Sequence, residues 1–456
     1  MAAVLFLAIV LLVPTLVHLY LWKRLVRDTT RPGRWRRAGG VLMVTLALLI
    51  PATLAGTRAG LYWLAWPGYL WLAVMFYLLV LLVVAELPML VIRRLVRRRA
   101  AGVPAREPVQ ADRPTEAGDP VAVLAGPGAE RAAGTNASAG PAPAVGPGSG
   151  GRVPPDGATG SPSSTTVPPA EPGHDPGRRL LLARSLAIVA GLTATGVTGY
   201  GVAVAKGPPR LNRVQIPLAK LPRRMDGMRI ALVSDIHLGP LSGRPHAERV
   251  VAAINRVDAD LVAVVGDLVD GSVAELGPAA APLRDLRSRY GSFFVTGNHE
   301  YYSGVAEWVA EVDRLGLRVL QNRRREIVTP GGVLDLAGVN DVSAEEFGGT
   351  GVEAGPDYDA ALGGRDPDRP VVLLAHQPVA VHEAARRGVD LQLSGHTHGG
   401  QIVPFNLLVG LEQPVVSGHA TIDGTQVVVT NGAGFWGPPV RVGAPPQVTL
   451  VELRSA

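Results

Sequence analysis

The sequence has no cysteine among its 456 residues. Disulfide bonds, thiolate metal sites and cysteine nucleophiles are therefore excluded. Aromatic residues are also scarce, at 5%, although 47% of the residues are hydrophobic. Because that hydrophobicity comes mainly from aliphatic side chains in long runs, the composition is typical of a protein with membrane-spanning helices. A chain of this length also has room for two or three domains.

Acidic residues are scarce in the first half of the chain. Residues 1–207 contain 21 Lys and Arg against 10 Asp and Glu, whereas residues 208–456 contain 23 against 28. The basic excess therefore belongs to the half that holds the long apolar runs, where Lys and Arg clusters set membrane topology. Since no nucleic-acid-binding motif accompanies the charge, we predict no nucleic-acid partner.

Three apolar segments in residues 1–99 are each long enough to cross a bilayer, at about 2–22, 38–57 and 67–92. Arginine clusters follow the first and the third segment. We therefore predict three transmembrane helices. The alternative, three buried helices of a soluble domain, agrees less well with the segment lengths and the flanking arginines.

Residues 100–178 are rich in Pro, Gly and Ala and are predicted to form a disordered linker. An arginine pair and a further apolar run at 179–206 predict either a fourth transmembrane helix or an anchor that resembles a twin-arginine signal. If the basic clusters are cytoplasmic, a fourth helix carries residues 207–456 to the outer face, and we predict a multi-pass protein of the cell membrane with this topology. If the segment only lies on the membrane, residues 207–456 stay inside.

Short β-branched runs alternate with helical stretches in residues 207–456, which predicts an α/β domain with ligand-binding loops at the carboxyl ends of its strands. The predicted strands are 228–233, 261–265, 292–295, 333–339, 371–375, 391–393, 425–429 and 448–453. The predicted helices are 245–257, 304–315 and 379–387.

Five of the predicted strands run into side chains that can hold a metal ion. Taken alone, each of these loops is more typical of a turn or an ordinary surface residue. Together, and at one edge of one sheet, they predict a metal site. The candidate side chains are those of Asp235 and His237, Asp267 and Asp270, Asn298 and His299, His376, and His396 and His398. The other five histidines, interpreted as structural, are His18, His174, His246, His382 and His419.

Oxygen and nitrogen donors without sulfur suit Mn²⁺, Fe or Zn²⁺, and the sequence does not choose among them. Two such ions about 3.5–4 Å apart need a shared anionic ligand, for which Asp267 is the natural candidate. A water held between the two ions loses a proton near neutral pH and becomes a nucleophile, while the ions neutralise charge on phosphoryl oxygens.

In their order along the chain, these blocks resemble the D-x-H, G-D-x-x-D, G-N-H-E, H and G-H-x-H motifs of the calcineurin-like metallophosphoesterase superfamily. The stretch GNHEYYSG at 297–304 and the ending GFWGPPVR at 434–441 resemble its membrane-attached bacterial branch. The resemblance implies a four-layer αββα sandwich preceded by transmembrane helices. It covers about residues 212–453 and none of the first three apolar segments.

The resemblance also implies a role for each candidate side chain. One metal ion would be held by Asp235, His237 and His398, and Asp267 would bridge to the second. That second ion would be completed by Asn298, His376 and His396. The remaining histidine, His299, matches the residue that contacts the phosphate and implies a general acid. Asp270 and Glu300 match the motif but receive no metal.

The leading hypothesis is a membrane-anchored phosphoesterase with two divalent metal ions. It would hydrolyse phosphomonoester, phosphodiester or pyrophosphate bonds by a metal-bridging hydroxide, and its substrate would be a phosphorylated small molecule or a lipid-linked compound. An alternative is a catalytically silent membrane sensor or scaffold that binds a phosphorylated ligand. A transport or channel role for the N-terminal helices has weaker support, because Glu86 is their only acidic residue.

Overall fold

The computed structural model describes residues 2–101, 176–347, 351 and 354–456. Residues 1–90 and 176–456 belong to one compact unit, which holds the whole α/β domain. Most of the predicted linker, residues 102–175, lies outside the described residues.

The helices are α1 (Ala2–Leu21), α2 (Arg34–Arg58), α3 (Ala65–Ala101), α4 (Pro176–Lys206), α5 (Arg244–Asn255), α6 (Val273–Ala280), α7 (Asn298–Ser303), α8 (Val305–Arg314), α9 (Tyr358–Leu362), α10 (Val381–Arg386) and α11 (Asn406–Val409). The strands are β1 (Arg210–Leu218), β2 (Met228–Val233), β3 (Leu261–Val265), β4 (Ser292–Val295), β5 (Arg318–Val319), β6 (Arg323–Thr329), β7 (Gly332–Gly338), β8 (Val371–Leu374), β9 (Leu391–Ser394), β10 (Gly418–Ile422), β11 (Thr425–Val429) and β12 (Gln447–Ser455).

Each of the four predicted apolar segments forms a helix, α1 to α4. Among the described residues, three stretches are long and apolar enough to cross a membrane: α2, Tyr62–Pro88 and Leu180–Lys206. Large apolar side chains on these helices, such as Leu48 and Leu192, point outward. An outward apolar surface is what a lipid environment requires, and the membrane crossing itself stays a prediction.

The helices also share an apolar core, which contains Leu21, Leu78, Leu82 and Ala194. At one end of this bundle, Arg184 Nε donates a hydrogen bond of 3.0 Å to the carbonyl oxygen of Thr29. The basic loop between α1 and α2 therefore lies beside the basic start of α4.

Two six-stranded mixed sheets make up the α/β domain. The strand order is β1-β12-β2-β3-β4-β5 in the first sheet and β10-β11-β9-β8-β7-β6 in the second. Strands β2 to β5 run parallel in the first sheet, and β7, β8, β9 and β11 run parallel in the second. Their carboxyl ends therefore gather at one edge of each sheet.

The sheets pack face to face through an apolar core to which both contribute, for example Leu232, Val265 and Leu393. The outer face of the first sheet is covered by α5 and α8, whose Trp308 is fully buried. The outer face of the second sheet is covered by α9 and α10. The predicted four-layer αββα sandwich is thereby confirmed.

All eight predicted strands are present, and four further strands were not predicted: β1, β5, β6 and β10. These four are the edge strands of the two sheets. An edge strand is covered on fewer sides than a central one, so its sequence can carry charge and lose the apolar pattern. The segment Arg323–Thr329, which begins with three arginines, is the clearest case.

The α/β domain contacts the helical bundle at the start of α3 and the end of α4. Ala65, Tyr69 and Ala205 form an apolar cluster with Leu241 and Phe435 of the domain. The residues that follow β2 of the first sheet and β11 of the second therefore lie close to the helix ends.

Candidate metal centre

The structure brings the predicted ligands together from five loops at the carboxyl ends of the central strands. Asp235 and His237 follow β2, Asp267 follows β3, and Asn298 begins the helix after β4. From the second sheet, one histidine follows β8 and two follow β9, namely His376, His396 and His398. The predicted ligands therefore come from both sheets, not from one edge of a single sheet as the sequence predicts, and they meet where the carboxyl ends of the central strands of the two sheets lie together.

The first group of possible ligands consists of Asp235, His237 and His398. The two histidine Nε2 atoms lie 3.0 Å apart, and Asp235 Oδ1 lies 3.5 Å from His398 Nε2. All three side chains are buried. This spacing lets one cation contact all three side chains.

The second group consists of Asp267, His376 and His396. Asp267 Oδ2 lies 3.1 Å from His376 Nε2. The amide oxygen of Asn298 lies 3.1 Å from His396 Nδ1, which adds a fourth donor to the group.

Asp267 lies between the two groups. Its Oδ2 atom is 3.1 Å from His376 Nε2 in one group and 3.8 Å from His237 Nε2 in the other. A carboxylate in this position can contact two cations at once, as the bridging role requires.

The backbone is strained at the predicted ligands. Nine non-glycine residues of the described chain have a positive φ, and five of these are predicted ligands: Asp235, His237, Asp267, His396 and His398. A left-handed conformation costs a non-glycine residue about 1 kcal/mol. Such strain gathers at functional sites, where the surrounding structure holds it in place.

Two glycines allow the loops to approach each other. A Cβ at Gly395 would lie 2.1 Å from Ser234 Oγ and 2.5 Å from Asp235 Oδ2. A Cβ at Gly297 would lie 2.3 Å from Asp267 Oδ1. Neither position has room for a side chain, so both glycines are required for the loops to close around the carboxylates.

The donor set fits divalent cations. Asp235 and Asp267 are buried, and no Lys or Arg in the described ranges forms an ion pair with either carboxylate. Buried charges of this kind are stable when a counter-charge or a metal ion compensates them.

The histidine tautomer supports the same fit. His376 Nδ1 lies 2.7 Å from the carbonyl oxygen of Val265, to which it donates its proton. The other ring nitrogen, Nε2, therefore faces the Asp267 carboxylate, 3.1 Å from its Oδ2. A cation bound between the two side chains would take the place of a proton on Nε2.

The pKa values show how strongly these groups interact. Burial raises the pKa of Asp267, but His376 and His299 outweigh burial and hold it well below its usual range. Burial lowers the pKa of His376, yet the Asp267 carboxylate raises it well above its usual range. For His396, burial and the neighbouring His376 lower the pKa to about 3.

Asp270 contacts two histidines of the site, although the sequence analysis gives it no metal and no role. Its Oδ1 atom lies 2.8 Å from His237 Nδ1 and 2.7 Å from His299 Nδ1. Burial lowers the pKa of His299, but Asp267 and Asp270 outweigh burial and raise it to about 9. The sequence signal was the second Asp of Gly266-Asp267-Leu268-Val269-Asp270.

Glu300 supports the loops from behind. Its buried carboxylate accepts hydrogen bonds from the backbone N–H groups of Asp267 (3.0 Å), Leu268 (2.8 Å) and Gly297 (2.7 Å). Burial and the nearby Asp267 charge raise the pKa of Glu300 to about 7. This residue joins the loop after β3 to the loop after β4.

Arg441 is a fully buried residue that the sequence did not single out as functional. Its Nη1 atom donates to the carbonyl oxygen of His398 at 2.7 Å, and its Nη2 atom lies 2.9 Å from His398 Nδ1. Its backbone N–H donates to the carbonyl oxygen of Gly201 in α4 at 3.0 Å. Arg441 thus links α4 to a predicted ligand.

Two exposed aromatic residues flank His299. The ring centroids of Tyr302 and Trp436 lie 5.4 and 6.1 Å from that of His299, both in edge-on contact. They form the rim of the site on the side of His299.

The histidines interpreted as structural lie elsewhere. His18 contacts Trp71 in the helical bundle, and His246 is buried in α5. His382 and His419 lie outside the groups of possible metal ligands that the described ranges contain. The fifth one, His174, lies outside the described residues.

Comparison with known proteins gives relatives that share this domain. A family model for the calcineurin-like phosphoesterases matches residues 228–400. Two proteins named "Transmembrane protein with metallophosphoesterase domain", from Danio rerio and Bos taurus, are each 39% identical, over 56% and 62% of this chain. The matches span 60% and 65% of those relatives, which is less than two thirds of their length. An "Uncharacterized metallophosphoesterase" of Helicobacter pylori is 36% identical over 61% of this chain and 73% of its own.

Proposed function

The chain belongs to the calcineurin-like metallophosphoesterase family, and we propose that it is a membrane-anchored phosphoesterase with two divalent metal ions. The observation that carries this proposal is the position of Asp267 between the group of Asp235, His237 and His398 and the group that it forms with His376 and His396. A binuclear phosphoesterase needs such a shared carboxylate.

In this proposal Asp235, His237 and His398 hold one ion, whereas Asn298, His376 and His396 hold the other, and Asp267 contacts both. The ions are Mn²⁺, Fe or Zn²⁺, for which these nitrogen and oxygen donors are suited. When bound, they would lower the pKa of a water held between them and neutralise charge on the phosphoryl oxygens.

The chain's own residues supply the remaining chemistry. His299 Nδ1 is engaged by Asp270 at 2.7 Å, which leaves Nε2 as the nitrogen that donates a proton to the leaving group. The neighbouring Asp267 and Asp270 carboxylates outweigh burial and raise the pKa of His299 to about 9, which favours its protonated form. Asp270 also holds His237 Nδ1, so one carboxylate orients both a ligand and the general acid.

The substrate in this proposal contains a phosphomonoester, phosphodiester or pyrophosphate bond, carried by a small molecule or a lipid. The membrane helices motivate the lipid alternative, since they hold the domain close to a bilayer. The partner in this proposal, apart from the substrate, is the lipid bilayer.

We propose a multi-pass topology in which 2–22, 38–57, 67–92 and 179–206 cross the membrane and 100–178 is a linker. The hydrogen bond from Arg184 to Thr29 supports a topology in which the basic loop between α1 and α2 and the basic start of α4 lie on the same side of the membrane. By the positive-inside rule that side is cytoplasmic, which leaves the catalytic domain, 207–456, extracytoplasmic. A reporter enzyme fused after Ala456 and assayed for activity outside the cytoplasm tests this; activity on the cytoplasmic side alone refutes it.

The function is tested with the full-length protein in lipid nanodiscs. Added Mn²⁺ should support hydrolysis of p-nitrophenyl phosphate or its diester. Asp267→Asn and His396→Ala should abolish turnover, whereas His382→Ala is a matched control at a half-exposed histidine outside the site. Equal turnover in all four proteins would overturn the mechanism. Metal binding by the wild-type protein without turnover of any phosphate ester would favour the silent sensor.

A further inference from the structure

An uncharged hydrophobic segment follows directly after the last ligand loop. Residues 402–411, here called the apolar loop, read IVPFNLLVGL and contain no charged side chain. Leu407 and Leu411 are 69% and 83% exposed, and Val403, Phe405 and Leu408 are also exposed. A contiguous patch of large aliphatic side chains on a protein surface is rare and marks a binding surface.

The apolar loop is continuous with the surface of the membrane-segment helices. The Phe405 ring lies 6.4 Å from that of Phe76 in α3, in edge-on contact. Ile402 packs on the apolar core of the helical bundle, as does Val442, whose carbonyl oxygen accepts a 3.0 Å hydrogen bond from Val403 N–H. The exposed leucines therefore extend the same apolar surface that the helices present to lipid.

Residues along α3 and α4 show how far the contact between Phe405 and Phe76 lies from the expected membrane interface. Lys206 lies at the end of α4, with its Nζ 5.5 Å from the Trp66 ring and 5.8 Å from the Phe435 ring. Lysine and tryptophan are typical of the membrane interface. Phe76 is ten residues beyond Trp66 along α3, a rise of about 15 Å at 1.5 Å per residue. Phe405 thus contacts α3 well below the interfacial residues.

We propose that the apolar loop is inserted in the bilayer that the helices cross, on the side that carries the catalytic domain. This inference rests on the proposed membrane crossing. The occupant of the exposed patch is lipid rather than a second protein, because the patch is uncharged and merges with lipid-facing helices.

Insertion would place the metal centre at the lipid surface. Gln401 immediately precedes the apolar loop, and its side chain exchanges two hydrogen bonds of 2.9 Å with the backbone of Trp436, whose ring lies beside His299. Gly400, the residue before Gln401, packs so closely on Asn406 in the apolar loop that a Cβ at Gly400 would lie 2.4 Å from Asn406 Cα. The rim of the site and the apolar loop are therefore one connected surface, suited to a phosphate ester carried by a membrane lipid.

The absence of cysteine allows a direct test, since each introduced cysteine is the only thiol. Leu411→Cys and, independently, Leu407→Cys are spin-labelled in the full-length protein in phosphatidylcholine nanodiscs. Collisions with oxygen, which concentrates in lipid, are compared with collisions with a water-soluble nickel complex. Leu192→Cys in α4 is the lipid control, and Val328→Cys in β6, 66% exposed, is the aqueous control.

Insertion predicts that the labels at both loop positions, like the one at residue 192, collide more often with oxygen than with the nickel complex, at a depth of about 5–10 Å below the headgroups. Labels that resemble the one at residue 328 overturn the inference. Labels shielded from both reagents also overturn it, because they would lie in a protein contact such as a second copy of the chain.

A kinetic comparison tests the consequence for substrates. The double variant Leu408→Asp/Leu411→Asp should hydrolyse phosphatidate in phosphatidylcholine vesicles at least about tenfold more slowly than the wild type, with p-nitrophenyl phosphate turnover unchanged. Val328→Asp is the matched control and should change neither rate. Equal loss on both substrates, or on neither, refutes a role of the apolar loop in lipid access. If the wild-type protein hydrolyses neither substrate, the proposed function fails, while the spin-label depths still decide on insertion.

Discussion

Replacement of Gly395 by alanine tests whether the loops around Asp235 are closed to within atomic contact. The new Cβ would lie 2.1 Å from Ser234 Oγ, 2.4 Å from Ser234 Cβ and 2.5 Å from Asp235 Oδ2, whereas ordinary contacts begin at about 3.4 Å. Relief of these contacts needs a shift of about 1 Å in the Asp235 carboxylate or the His396 backbone. A misplacement of about 1 Å costs about a hundredfold in rate, which is about 2.7 kcal/mol of activation free energy.

The assay is a Mn²⁺ titration of p-nitrophenyl phosphate turnover, combined with the metal content of the purified protein. Gly277→Ala in α6 is the matched control, because its nearest neighbour is at an ordinary 3.6 Å. Gly395→Ala should need more Mn²⁺ for half-maximal turnover and should lose about a hundredfold in kcat/KM. Turnover and metal content equal to those of Gly277→Ala would show that the loops accommodate a Cβ at residue 395, and would refute the claim that they are closed to within atomic contact.

Four further predictions concern the ligands and the residues around them. Because the Asp270 carboxylate helps to raise the His299 pKa to about 9, Asp270→Asn should lower that pKa and move the alkaline loss of kcat to lower pH, and an unchanged pH–rate profile would contradict this. The stabilising interaction between protonated His299 and the carboxylates should be complete below the unfolded pKa of about 6.5 and lost as the pH rises through about 9. Since the Glu300 carboxylate accepts three backbone N–H groups, Glu300→Gln should lower the free energy of unfolding by about 1–3 kcal/mol in denaturant titrations, whereas the exposed control Glu307→Gln should change it little. Free Mn²⁺ at 100 times its Kd should stabilise the fold by about 2.7 kcal/mol in thermal unfolding, and an equal gain in Asp267→Asn would contradict a site built on that carboxylate.

The central strands could be predicted because they are buried on both faces and read as continuous aliphatic runs. Four of them have the predicted bounds: Met228–Val233, Leu261–Val265, Ser292–Val295 and Thr425–Val429. The edge strands could not be predicted, because partial burial leaves charged residues in them, as in β1 and β6. Short helices such as Asn406–Val409 have too few turns to show a period.

The ligand loops could be predicted because each side chain follows a strand of readable pattern. The contacts of Asp270 with His237 and His299 could not, since they depend on how two loops from separate strands pack. Arg441 could not be assigned for the same reason, because its partners His398 and Gly201 belong to distant parts of the chain. The apolar loop reads as an ordinary short hydrophobic run until its contact with Phe76 is known.

The most direct test of a binuclear centre is the Mn²⁺ content of the full-length protein after equilibrium dialysis. It is measured by mass spectrometry for the wild type, Asp267→Asn and His382→Ala. A centre that shares Asp267 predicts two ions per chain in the wild type and in His382→Ala, with fewer than two in Asp267→Asn. At most one ion in the wild type, or two ions in Asp267→Asn, would contradict a binuclear site built around this carboxylate.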